Sequence, residues 1–98
     1  MKAILTTALF LSAATLATPA WSQGDPAAGA QLYATNCSAC HGATRAGIPG
    51  TFPTLIDVGK RLQPEQIKEK MRKGGGLMPP FSQLSQQDVD DIAAFLQQ

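Results

Sequence analysis

The chain has 98 residues, with eight Lys and Arg against seven Asp and Glu, two cysteines and one histidine. A chain this short forms one small domain, and such a domain buries too little apolar surface to be stable without a disulfide, a metal or a cofactor. The nearly balanced charge leaves no basic excess with which to bind nucleic acid.

In chain order, Met1-Lys2 is followed by an uncharged apolar run from Ala3 to Leu16. This is the pattern of a secretory signal peptide over residues 1–22, with Ala20 and Ser22 as the small residues around a cut after Ser22; a cut after Ala20 is the alternative. The run is shorter than the ~20 residues that span a bilayer as a helix, so no membrane span is expected in the mature form. The mature domain is then residues 23–98, exported to the periplasm. Loss of Lys2 leaves seven basic and seven acidic side chains. Six of those basic residues lie between Lys60 and Lys73, while Asp88, Asp90 and Asp91 sit together near the end of the chain. Two solvated helix faces or a docking patch both fit that distribution.

Asp25 is a good N-cap and Pro26 suits the first helical position, which predicts a helix from Pro26 to about Asn36, with Leu32 on its apolar side and Tyr33 beside it. Its continuation carries Cys37 to His41. From Gly42 to Gly59, four glycines and two prolines discourage regular structure, and a loop is expected to wrap something there. A second helix is expected from Pro64 to Lys73, closed by Gly74-Gly75-Gly76, with Leu62, Ile67 and Met71 on its inward side. Leu77 to Leu84 cannot be helical through Pro79 and Pro80. A last helix starts at Ser85, with Asp88 completing a capping box, and runs to the end of the chain; Val89, Ile92, Ala93 and Leu96 form its apolar stripe, widened by Phe95. Gly29 permits that helix to approach the first one closely.

Both cysteines and the histidine fall in one run, NCSACHG, Asn36 to Gly42. Residues three and four apart share a helix face, so Cys37, Cys40 and His41 can meet one object. A disulfide between the two cysteines would close a tiny loop and stabilise little. Structural zinc needs further Cys or His ligands, and the chain has none. A thioredoxin-like redox pair needs a strand before the first cysteine, and none is expected. Cys-x-x-Cys-His is also the attachment motif of c-type haem, with two thioethers to the haem and the histidine on the iron. Covalent attachment takes place outside the cytoplasm, which agrees with the export signal, and haem supplies the rigid apolar body that the domain lacks.

The second axial ligand cannot be a histidine, because His41 is the only one. Met78 lies between three glycines and Pro79-Pro80, and a residue before proline is held extended, so it can cross a haem face and present its thioether. Met71 lies mid-helix and fits a core side chain better, though it remains the alternative.

With these features the chain resembles the class I c-type cytochromes, in particular their short bacterial monohaem members. The resemblance covers nearly all of residues 23–98: Gly29 and Tyr33 leading into CSACH, FPTL at Phe52 to Leu55, the methionine strap, and Phe95 in the last helix. It implies an all-α, small cytochrome c fold, three to four helices wrapped around one covalently attached haem c. It also implies that Pro53 offers its backbone carbonyl to the second ring nitrogen of His41. The expected function is one-electron transfer on a haem held by His41 and Met78, between redox partner proteins: a donor dehydrogenase or cytochrome complex and an acceptor oxidase or reductase. NCSACHGATRAGIPGTFPTL is also similar to cytochrome subunits of periplasmic dehydrogenases, so a tightly bound subunit is a second reading. A haem peroxidase or gas-binding protein is a third, with Arg45 its sole candidate for a distal helper. The first two readings make the chain no enzyme in itself.

Overall fold

The computed structural model describes residues 3–10, 12 and 24–98. Asp25 is extended and its carboxylate accepts from the Ala27 amide at 3.0 Å, so α1 (Pro26–Asn36) starts at the expected proline. Cys37 then interrupts the helix, and α2 (Ser38–His41) is a separate turn rather than an unbroken continuation. The course stays nearly helical, because the His41 amide donates to the Cys37 carbonyl at 3.0 Å.

The irregular stretch ends earlier than its glycines suggest. One turn of helix, α3 (Val58–Arg61), forms inside it, because Val58 is 4 % exposed and anchors that turn in the core. Helix α4 (Pro64–Lys73) begins with a capping box in which the Gln63 amide donates to Gln66 Oε1 at 2.8 Å. Ile67 and Met71 are buried on its inner side. Leu62, expected to join them, lies before α4 on extended backbone at the end of α3 and is exposed.

Helix α5 (Gln86–Leu96) opens with a reciprocal pair: Ser85 Oγ accepts from the Asp88 amide at 3.0 Å, and Asp88 Oδ2 accepts from the Ser85 amide at 3.1 Å. It ends at Leu96, two residues before the end of the chain. Val89, Ile92, Ala93 and Leu96 are all buried, as their spacing requires.

Helices α1 and α5 pack along most of their length, and α4 lies against α5. A Cβ at Gly29 would overlap the Asp91 carbonyl, so only glycine permits this crossing. On α1 it is Tyr33, 2 % exposed, that reaches the core, while Leu32 is only partly buried. The Tyr33 ring lies 5.3 Å from that of Phe95, tilted by 53°. The Asp91 carboxylate accepts from the Asp25 amide at 2.8 Å and from Gln87 Nε2 at 2.7 Å, which fastens the start of α1 to α5. Lys68 Nζ sits 2.9 Å from Asp90 Oδ1 and joins α4 to α5.

Among the described residues the only β pairings are the isolated bridges Ile48 with Phe52 and Gly75 with Met78, so the fold is all-α. No helix among them is long and apolar enough to cross a membrane. The expected cleavage site at Ala20 to Ser22 lies outside the described residues; residues 3–10 have neither helix nor strand, and Leu5 and Phe10 are exposed.

Candidate functional site

Two cavities, of about 350 Å³ and 180 Å³, share Cys37, His41, Pro53, Lys70 and Met78 in their walls. The larger is closed by core side chains, among them Val58, Ile67, Met71, Ile92 and Leu96, and the smaller by Phe52, Leu77 and Phe81, with Cys40 at its rim. The lining is almost wholly carbon, and the size is that of a small-molecule site. The fold therefore gathers Cys37, Cys40, His41, Met78 and Pro53: two thiols, one imidazole, one thioether and one supporting carbonyl.

His41 Nδ1 lies 3.0 Å from the Pro53 carbonyl oxygen. A carbonyl only accepts, so Nδ1 carries the proton and Nε2 keeps the lone pair that a metal needs. The backbone around His41 is pinned as well. The Gly47 amide donates to the His41 carbonyl at 2.7 Å, and the Tyr33 hydroxyl donates to the Gly42 carbonyl at 2.7 Å. Burial raises the Tyr33 phenol above its ordinary value, and Cys37 adds to the rise.

Cys40 is exposed and Cys37 half-buried. Burial, and secondarily the neighbouring Cys40, push the Cys37 thiol up to about 11, so it stays protonated at neutral pH.

Met78 is held by its backbone. Its amide donates to the Gly75 carbonyl at 3.0 Å, the Gly75 amide donates back to the Met78 carbonyl at 2.9 Å, and the Phe81 amide returns the strap to the Met71 carbonyl at 2.8 Å. Gly74 has φ +68°, and a Cβ there would press on the backbone of Met78 and Pro79, so the turn into the strap requires glycine. Met71 is 3 % exposed and borders the larger cavity alone, whereas Met78 borders both.

Arg45 lines neither cavity. Its guanidinium lies 5.0 Å over the Phe95 ring and donates to the Gln98 carbonyl at 3.2 Å. That corrects its candidacy as a distal helper. Its carbonyl serves the loop by accepting from the Leu55 amide at 2.7 Å.

Sequence reasoning missed the polar residues of the wall: Arg61, Gln66 and Lys70. Gln66 and Lys70 are four apart on α4 beside Ile67 and Met71, so helical spacing from the apolar stripe was the signal that could have found them. Arg61 is occupied by Asp57 Oδ1 at 3.0 Å and the Thr54 carbonyl at 3.0 Å.

Residues 24–96 match the family described as "Cytochrome C oxidase, cbb3-type, subunit III". The chain is 33 % identical to a cytochrome c6 of Picosynechococcus, over 98 % of this chain and 92 % of that one. It is 39 % identical, over 81 % of its length, to 16 % of a dihydro-heme d1 dehydrogenase of Pseudomonas aeruginosa. Its structure matches that of a cytochrome c6 from the diatom Phaeodactylum tricornutum with a TM-score of 0.62 at 31 % identity, covering 74 % of this chain and 91 % of the other. Fold, cavity lining, donor set and relatives agree: the chain belongs to the class I c-type cytochromes, small all-α electron-transfer proteins that carry covalently bound haem c.

Proposed function

We propose that residues 23–98 form a monohaem carrier that passes one electron between redox partner proteins in the periplasm, after residues 1–22 are removed. Cys37 and Cys40 would supply the thioethers, His41 Nε2 and the Met78 sulfur would bind the iron, and the Pro53 carbonyl fixes the His41 tautomer. The haem, when bound, supplies an iron that alternates between ferrous and ferric states. A histidine and methionine pair favours the ferrous state, giving a positive potential. With His41 and Met78 both bound to the iron, no place would be left for peroxide or oxygen, and the chain would act as a carrier rather than an enzyme. The observation that carries this reading is that His41 and Met78 both border both cavities, while Met71 borders one.

The test is the sulfur-to-iron charge-transfer band of the ferric protein. Met78→Ala abolishes it and Met71→Ala keeps it; loss on the Met71 change alone overturns the assignment. The basic residues between Lys60 and Lys73 steer an acidic partner, so higher ionic strength slows the second-order electron-transfer rate, and a salt-independent rate refutes steering.

One observation favours a second reading. The similarity to a small part of a much longer dehydrogenase supports a domain of this kind working inside a larger enzyme. Purification of the native protein from its source separates the two readings: a free shuttle elutes alone, a subunit with its enzyme.

A further inference from the structure

Among the described residues, Lys70 is the one basic side chain besides His41 that borders both cavities. Of the other basic residues in the stretch, Arg61 is engaged with Asp57, Lys68 with Glu65 and Asp90, and Lys73 with Glu69, while Lys60 and Arg72 border neither cavity. Lys70 forms no ion pair there, and its ammonium lies next to Gly75, where a Cβ would come within 2.7 Å of Nζ. Gly75 is the residue that holds the Met78 backbone at both its amide and its carbonyl. Lys70 is an exposed residue, and its positive charge stands beside the methionine strap at the edge of the carbon-lined cavities, where solvent screens it on one side and the apolar lining faces it on the other.

We propose that Lys70 sets the redox equilibrium of this site, holding the iron toward its ferrous state. The proposal rests on the one-electron reading above. Reduction adds one electron and lowers the net charge of the site by one, so a fixed cation nearby stabilises the reduced form more than the oxidised one. Lys70 does not pass the electron; it biases where the electron rests.

The experiment is an equilibrium redox titration of the holo-protein and of Lys70→Gln, Lys70→Arg and Lys60→Gln, with the sulfur-to-iron band recorded for each. Lys60 borders neither cavity and forms no ion pair among the described residues, so its change removes the same formal charge elsewhere. Lys70→Gln is expected to move the reduced-to-oxidised equilibrium about threefold to tenfold toward the oxidised form, tenfold being 59 mV for one electron, with the band intact. Lys70→Arg and Lys60→Gln stay within about twofold of the parent. No shift in Lys70→Gln, or an equal shift in Lys60→Gln, overturns the proposal. A shift accompanied by loss of the band also overturns it, because Lys70 then acts by holding the strap. A parent protein without the band refutes the methionine ligation instead, and the comparison of Lys70→Gln with Lys60→Gln still decides the role of Lys70.

Discussion

The Tyr33 hydroxyl donates to the Gly42 carbonyl at 2.7 Å and so ties α1 to the residue that follows His41. Tyr33→Phe keeps the ring contact with Phe95 and removes only this bond. It is expected to lower stability by about 1 kcal/mol in urea unfolding of the holo-protein. An unchanged midpoint would show that water replaces the hydroxyl at no cost.

Gly29→Ala places a methyl group inside the Asp91 carbonyl, and both partners are helix backbone that cannot step aside. A loss of about 3 kcal/mol or more is expected, with α1 and α5 forced apart. Thermal unfolding followed by circular dichroism measures it. A loss below ~1 kcal/mol would mean that the crossing is looser than the structure has it.

Stability should fall on the alkaline side. Asp90, by a hydrogen bond, and then Glu65 hold the Lys68 ammonium above its ordinary value of 10.5, against a smaller opposing effect of burial. The folded chain keeps that proton to higher pH than the unfolded chain does. The contribution is therefore complete below about 10.5 and disappears as pH rises through the folded value. Tyr33, raised mainly by burial from 10.0, acts in the same direction. Lys68→Met removes the lysine part, flattens the alkaline fall, and costs about 1–2 kcal/mol at neutral pH because Asp90 loses its cation. Urea titrations between pH 7 and 11 test this, and an alkaline fall as steep as the parent's would exclude Lys68. On the acid side, Asp57 and Glu69 are lowered by Arg61 and Lys73, but both are fully exposed, so the loss below their ordinary values is small and screened by salt.

Ser85→Ala removes one half of the capping box of α5 and should cost about 1 kcal/mol, seen as a lower unfolding midpoint. Ser85→Asp retains an acceptor and should recover most of it; failure of that rescue would mean that the serine does something other than cap.

The three longer helices were legible because proline, aspartate and serine mark their starts, and these local bonds form without help from the rest of the fold. The helical course from Cys37 to His41 was expected as well, but the break at Cys37 was not, nor was the single turn at Val58, because four residues hold too few hydrogen bonds for a local signal and that turn depends on the burial of Val58. Cys37, Cys40, His41 and Met78 could be picked out because each is chemically rare in this chain and stands beside distinctive neighbours. Lys70 was passed over because in sequence it is one of six clustered basic residues, although its spacing from Ile67 and Met71 on α4 placed it beside the apolar stripe that lines the cavity. Leu62 was misplaced for a related reason: its spacing suits α4, but the backbone turns extended before the helix begins.

The two walls of the cavity differ in how they are fastened. On the His41 side a hydroxyl, a proline carbonyl and a glycine amide close on one short segment; on the Met78 side two amides and two carbonyls join a methionine to a glycine in a glycine-rich turn. Unfastening the second wall releases more backbone freedom, because the strap follows three consecutive glycines. Heat or denaturant should therefore dismantle the site in a fixed order, with the thioether leaving first and the imidazole staying bound. The amide of Met78 should exchange with solvent faster than that of Gly47, because the strap opens before the rest of the domain unfolds.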